Sequence, residues 1–273
     1  MNRLGIETIS VFGLPPVEYV NLAADLGCAN ISTGLSAIDI NPHGYSPFDL
    51  RTDAALRREM KAALRDCGVS ISLAEGLTVR PGIEARDRAA EFDAFAELGA
   101  QRINVVSLDP DLGRTIGQFA VSVEMAAERG MAATTEFAPG LTVADLPTAL
   151  EVIRQVGRPD FRLLIDTMHL IRSGSSPADL AAIDPDLIGY VQLSDAPLVS
   201  TFPTYMQEAM TERRPPGQGE LPLLEILKLV PRDRVVSLEI PMLSQARAGM
   251  GPFDRLRPAV ATAKALLEQL DPA

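Results

Sequence analysis

Short apolar, β-branched runs recur along the whole chain, and each is followed by a stretch with helical spacing. The runs read LGIETIS (4–10), ANISTGL (29–35), VSISLAE (69–75), RINVVSL (102–108), AATTEFA (132–138), RLLIDTM (162–168), YVQLSDA (190–196) and VVSLEIP (235–241). Between them, PVEYVNLAADLG puts Val17, Val20, Ala24 and its neighbours on one apolar stripe, and DAALRREMKAALRDCG places Leu56, Met60, Ala63 and Leu64 on one face with Arg and Lys opposite. RDRAAEFDAFAELGA, TIGQFAVSVEMAAERG, ADLPTALEVIRQVG, PADLAAID, LPLLEILKLV and RLRPAVATAKALLEQL repeat the pattern. Gly27, Gly68, Gly99, Gly130 and Gly157 fall just past predicted helix ends, where a left-handed C-cap is expected.

Nearly continuous apolar strands alternating with helices predict a parallel sheet covered by helices. Eight such units predict a closed (β/α)8 barrel. An open doubly wound sheet would carry a Gly-rich phosphate turn after its first strand, and the turn here reads SVFGLPP. No linker or low-complexity stretch interrupts the pattern, so residues 1–273 read as one TIM-barrel domain.

Composition narrows the function more than the fold. The formal net charge of −11 argues against a nucleic-acid or anionic-membrane partner, which needs concentrated Lys and Arg. The first residues hold no apolar signal segment, and no run of apolar residues is long enough to span a membrane. Cys28 and Cys67 read as two buried thiols of a cytoplasmic protein in a reducing compartment.

In such a barrel the reacting groups come from the C-terminal ends of the strands. The fifth run ends in Glu136, the sixth contains Asp166 and His169, the seventh Gln192 and Asp195, and the eighth ends in Glu239. Each carboxylate taken alone could cap a loop or pair with an arginine. Three converging carboxylates repel one another unless a cation lies between them. Glu136, Asp166, Glu239 and the amide oxygen of Gln192 form a hard, oxygen-rich set, suited to one divalent cation, Mn2+ or Mg2+, rather than Zn2+.

The run Glu136, then Asp166 in D-x-x-H, then Gln192 in Q-x-x-D, then Glu239, with RRPPGQGELPL (213–223) before the last unit, resembles the xylose isomerase-like TIM-barrel superfamily of sugar isomerases, epimerases and related dehydratases. The resemblance is strongest from Thr135 to Met242. It implies that Glu136, Asp166, Gln192 and Glu239 hold the metal and that Arg213, three residues before Pro216, contacts substrate. Gln192 stands where the epimerases commonly have His. VQLSDAP, PGQGELPL and SLEI are similar to the bacterial 3-dehydroshikimate dehydratases.

The expected chemistry is proton abstraction next to a carbonyl of a small polyhydroxylated substrate, through a metal-stabilised enediolate. Glu136 and Glu239 are the expected acid/base pair, His169 a substrate contact or proton carrier, and Glu75 a further substrate contact unless Arg80 pairs with it. An isomerase or epimerase of a sugar, keto-sugar or hydroxy-ketone is the main expectation. A lyase of the dehydroshikimate dehydratase kind, and a binding protein without catalysis, are the alternatives. A multi-zinc endonuclease would need a His-rich cluster, and the chain has two histidines. His43 reads as a structural loop residue. Glu7 lies within the first strand and, like Glu75 at the end of the third, is expected to face the cavity, while Asp109 and Asp111 shape a turn. The loop PLVSTFPTYMQEAMTE, with Phe202, Tyr205, Met206 and Met210, is either a lid or a contact between copies of the chain.

Overall fold

Side-chain caps and glycine stops set the helix boundaries. The computed structural model of the chain describes residues 2–270. Among them, eight parallel strands close into a barrel in sequential order: β1 (Leu4–Ile6), β2 (Asn30–Thr33), β3 (Ser70–Val79), β4 (Arg102–Ser107), β5 (Ala132–Glu136), β6 (Phe161–Asp166), β7 (Ile188–Leu193) and β8 (Val236–Leu238). Strand β8 returns to β1 in the register Leu4↔Val236 and Ile6↔Leu238. The outer helices are α1 (Pro16–Asp25), α2 (Ala54–Cys67), α3 (Ala89–Leu98), α4 (Leu112–Ala127), α5 (Leu146–Val156), α6 (Thr167–Arg172), α7 (Pro177–Ala181), α8 (Tyr205–Thr211), α9 (Leu223–Lys228), α10 (Leu243–Arg247) and α11 (Pro252–Glu268).

Asp53, Asp111 and Asp145 each accept a backbone N–H in the first turn of α2, α4 and α5, and Ser176 with Asp179 forms a reciprocal box at α7. Each such cap contributes about 1 kcal/mol. The five glycines expected past helix ends all have positive φ, from 65° at Gly68 to 82° at Gly99. Helices α6, α8 and α10, 5–7 residues long, fall outside the helical stretches read from the pattern, whereas the equally short α7 and α9 lie within PADLAAID and LPLLEILKLV.

The main core lies between the sheet and the helices. Phe92, Phe95, Phe119 and Phe161 are fully buried there, Phe119 and Phe161 meeting edge-on at 6.1 Å. A smaller apolar cluster of Leu73, Leu164 and Tyr190 fills the lumen. The lumen is narrow. A Cβ on Gly189 would lie 2.9 Å from both Arg162 Cβ and Thr134 Cγ2, so the bare backbone is required there.

Several expectations need correction. Strand β1 stops at Ile6, and Glu7 stands just before a 3-10 turn over Thr8–Val11, its backbone carbonyl accepting the Ser10 N–H at 3.0 Å. Strand β3 does not end at Glu75 but runs on to Val79, with its register shifting between Ala74 and Leu77. Gly76, at φ 92°, absorbs that irregularity. The two thiols are not alike: Cys28 is buried, and burial pushes it up to about 12, whereas Cys67 is exposed at the end of α2. No described helix is long and apolar enough to cross a membrane.

Candidate functional site

The C-terminal mouth of the barrel gathers ionisable side chains into two groups of ligand-bearing oxygens and nitrogens, each group within 4.8 Å: Glu136, Asp166 and His169 on one side, and Glu7, Glu75 and Glu239 on the other.

On the first side, β6 ends in Asp166, whose Oδ1 accepts the backbone N–H of Met168 at 2.7 Å and of His169 at 2.8 Å. The carboxylate thereby nucleates α6 and sets the direction in which His169 leaves it, which is the physical content of the D-x-x-H spacing. His169 Nε2 lies 3.1 Å from Glu136 Oε1, and Asn104 Nδ2 donates to Glu136 Oε2 at 2.8 Å. The other ring nitrogen, Nδ1, meets the hydroxyl of Tyr205, the first residue of α8. Helix α8 is itself pinned by a buried ion pair from Glu208 to Arg172 on α6.

Arg213 follows α8 and is 3% exposed. Its Nε donates to the Ala209 carbonyl at 2.8 Å, and Nη1 bonds Asp166 Oδ2 and reaches Ser194 Oγ at 3.3 Å. Nη2 sits 2.7 Å from Glu239 Oε2, a close ion pair without hydrogen-bond alignment. Burial alone would push the Asp166 carboxyl up; Arg213 and His169 beside it prevail and hold it well below the usual range. Burial would likewise lower the Arg213 guanidinium, but Asp166 and Glu239 hold it above its ordinary value.

On the second side, Glu7 is fully buried. It accepts from the Tyr190 hydroxyl at 2.8 Å and from Gln192 Nε2 at 3.3 Å. Glu75 accepts from Ser32 Oγ at 2.9 Å and from the same Gln192 nitrogen at 3.3 Å, so Arg80 is not its partner. Burial raises the carboxyls of Glu7, Glu75 and Glu239. Neighbouring acids add to this for Glu75, and Arg213 only partly opposes it at Glu239. The amide oxygen of Gln192, fully buried, has no hydrogen-bond partner.

A buried acceptor left unpaired among carboxyls that repel one another is the environment a hard cation relieves. The oxygens of Glu136, Asp166, Gln192 and Glu239 fit such an ion in kind. Arg213 at present supplies positive charge to two of them.

A pH dependence follows. Raised folded-state values mean that Glu7, Glu75 and Glu239 hold protons the unfolded chain has released, so without a cation stability falls as pH rises above the ordinary value of 4.5 toward the raised values. Asp166 acts oppositely: its contribution is present above 3.8 and is lost as pH falls below it. Thermal melts of chelator-treated protein should therefore show greatest stability in mild acid, and a divalent cation should flatten the decline on the alkaline side. A chelated protein whose stability rises from mild acid to neutrality would contradict this.

The structure brings the sequence-predicted residues Glu75, Glu136, Asp166, His169, Gln192, Arg213 and Glu239 to one mouth, but it does not gather the four expected ligands around a single point. Glu136 lies with His169, Asp166 and Glu239 share Arg213, and Gln192 faces Glu7 and Glu75. Asp195 is a loop anchor. Its carboxylate accepts the backbone N–H groups of Ala196, Gly217 and Leu221, and a Cβ on Gly219 would meet Asp195 Oδ1 at 2.2 Å, which is why the PGQG turn needs its glycine. His43 approaches Arg255 Nη1 at 3.3 Å and packs on Tyr45, as a loop residue. Asp109 pairs with Arg114 at 2.6 Å, and Asp111 caps α4. Tyr205, Tyr190, Ser32 and Asn104 are the site residues that sequence reasoning missed. Asn104 carried a usable signal, a polar residue inside an otherwise apolar strand. Tyr205 carried none beyond its place in the long loop.

A sequence model of the family described as xylose isomerase-like TIM barrel matches residues 22–266. The chain is 25% identical over 236 residues to a 3-dehydroshikimate dehydratase of Pseudomonas putida, covering 81% of this chain and 35% of that protein. It is 30% identical over 130 residues to a 2-epi-5-epi-valiolone 7-phosphate 2-epimerase of Actinoplanes, covering 45% and 46%. The chain thus spans about a third to a half of the length of these curated relatives. Among solved structures, the IolI protein with a zinc atom bound superposes with a TM-score of 0.78 at 17% identity over 98% of this chain and 99% of that one, a likeness of fold. The chain belongs to the xylose isomerase-like TIM-barrel family.

Proposed function

We propose that this member of the xylose isomerase-like family removes a proton next to the carbonyl of a small polyhydroxylated substrate and returns it elsewhere, as an isomerase or epimerase that uses one divalent cation, Mn2+ or Mg2+. The observation that carries the reading is the unpartnered amide oxygen of Gln192 in a mouth that also holds Glu136, Asp166 and Glu239. Those four residues would hold the cation. When bound, it would polarise the substrate carbonyl and offset the charge that develops on its oxygen.

The protein's own groups do the rest. Glu136 and Glu239 approach from β5 and β8, so they address a substrate in the mouth from different directions, one removing and the other returning a proton. Asn104 and His169 hold Glu136 in place. Arg213, fixed through Ala209 and Ser194, supplies donors for substrate oxygens. Tyr205 orients His169: if its hydroxyl donates to Nδ1, the proton resides on Nε2 and faces Glu136.

Tyr205→Phe should therefore reduce kcat/KM roughly tenfold, the scale of one lost hydrogen bond. With only two histidines in the chain, the His169 ring nitrogens can be assigned by 15N NMR. The variant should shift Nδ1 of His169 and leave His43 unmoved. Unchanged ring signals would remove Tyr205 from this role.

A second reading, a lyase, is favoured by the similarity to a dehydratase over 81% of the chain. If a hydroxyl lies β to the carbon that loses its proton, the same abstraction expels water. One experiment tests both readings. The purified protein is analysed for metal, then incubated in D2O with a panel of keto-sugars and with 3-dehydroshikimate. Solvent deuterium entering the carbon next to a keto-sugar carbonyl supports the isomerase or epimerase. Loss of water from dehydroshikimate supports the lyase. Turnover by hydride transfer, with no deuterium entering product, would overturn both.

A further inference from the structure

The opposite, N-terminal mouth of the barrel carries an unusual charge for so acidic a chain. Arg102 opens β4 and Arg162 is the second residue of β6. Their side chains line a cavity of about 340 Å3 with Ala132, Ala133, Pro159 and Asp160. That is room for on the order of ten waters. Arg102 projects inward, its guanidinium 6.0 Å from the ring centre of Tyr190 in the lumen. Arg162 shares the face of β6 that carries Leu164 and Asp166.

Neither arginine has a carboxylate partner or a side-chain hydrogen bond among the described residues, and Arg102 Nε is buried with no acceptor. The acids nearby are engaged elsewhere. Asp160 pairs with Arg158 at 2.6 Å, while Asp233 and Asp186 face Arg234. Arg234 in turn donates its Nε to the Ile188 carbonyl at 2.7 Å. Burial, with the neighbouring guanidiniums of Arg162 and Arg234, holds Arg102 below its usual value in spite of Tyr190.

Two guanidiniums that repel each other across a cavity, in a chain of net charge −11, call for an anion between them. A lone carboxylate would balance one of the two. A phosphate group carries close to two negative charges and enough oxygens to accept from both planar forks. We propose that Arg102 and Arg162 form a phosphate-binding site at the N-terminal mouth, for free phosphate or the phosphate of a small metabolite, separate from the acidic mouth at the other end of the barrel.

The test is calorimetric titration of the intact protein with inorganic phosphate and, separately, glycerol phosphate, against sodium chloride at matched ionic strength. Saturable binding is expected in the native chain, weakened about tenfold or more in Arg102→Gln and in Arg162→Gln. Equal affinity for the two ligands assigns the site to free phosphate, and tighter glycerol phosphate binding assigns it to a metabolite. Arg102→Lys and Arg162→Lys keep charge and stem, so they serve if the Gln variants fail to fold, and they too should bind more weakly because the planar fork is lost. Absence of saturable binding by the native chain would overturn the proposal. So would binding that survives in both arginine variants, or binding that is lost only in Arg213→Ala, which would place the anion at the catalytic mouth.

Discussion

Glu136→Gln and Glu239→Gln should each lower kcat on the order of 10²- to 10⁴-fold, the range lost when a positioned acid or base is removed. Each should also weaken divalent-cation binding, because an amide keeps the shape of the carboxylate but not its charge. Folding should survive both changes. Glu239 is a carboxyl that burial already pushes toward its neutral form, and Gln reproduces that form. Glu239→Gln also removes the carboxylate that faces Arg213 at 2.7 Å, so without a cation the change in stability should be small in either direction, and the melts show whether the loss of activity is separate from unfolding. Glu136→Gln is sterically mild but turns an acceptor of the Asn104 amide into an amide itself, so a small loss of stability is expected there. Metal titration, steady-state kinetics and melts on the same preparations read all three effects. Undiminished cation binding in both variants would show that the ion is held elsewhere.

Arg213→Ala should produce the largest change in stability, about 3–5 kcal/mol in chelated protein, the usual consequence of leaving a buried charge without its partner. The guanidinium is 3% exposed and touches Asp166 and Glu239 together. Removing it leaves Asp166, which depends on that charge to remain ionised, facing another carboxyl. The sign of the cation effect separates this account from simple loss of packing. A divalent ion no longer competes with the arginine for the same oxygens, so Mn2+ should bind Arg213→Ala more tightly than the native chain and recover part of the lost stability. Turnover should still fall: KM rises if Arg213 only places substrate oxygens, and kcat falls if it also offsets developing charge. Denaturant melts with chelator and with Mn2+ decide the matter. A deficit that Mn2+ leaves untouched would mean that Asp166 and Glu239 do not share a cation site.

Much of this architecture is legible in one dimension because it is set by local rules. The alternation of apolar runs with helical stripes specifies a parallel sheet covered by helices, and eight units close it. Glycine is needed wherever a helix ends in the left-handed region, so five helix ends could be read directly. The strand-end positions of Glu136, Asp166, Gln192 and Glu239 follow from the same periodicity, because a strand's C-terminal residue has one mouth to face. Distances and partners were not legible. The bulged path of β3 carries Glu75 to Ser32 and Gln192 rather than to Arg80. The docking of α8 brings Tyr205 to a histidine 36 residues earlier, and one arginine comes to lie between two acids from different strands. Those contacts depend on how far a strand extends and on how a loop packs, which are decided by burial across the whole barrel. The sequence alone determined the barrel and which strand-end carboxylates stand at its mouth; only the tertiary structure decided which further residues join them and which charges meet there, because electrostatic partners are chosen by proximity in space and not by spacing along the chain.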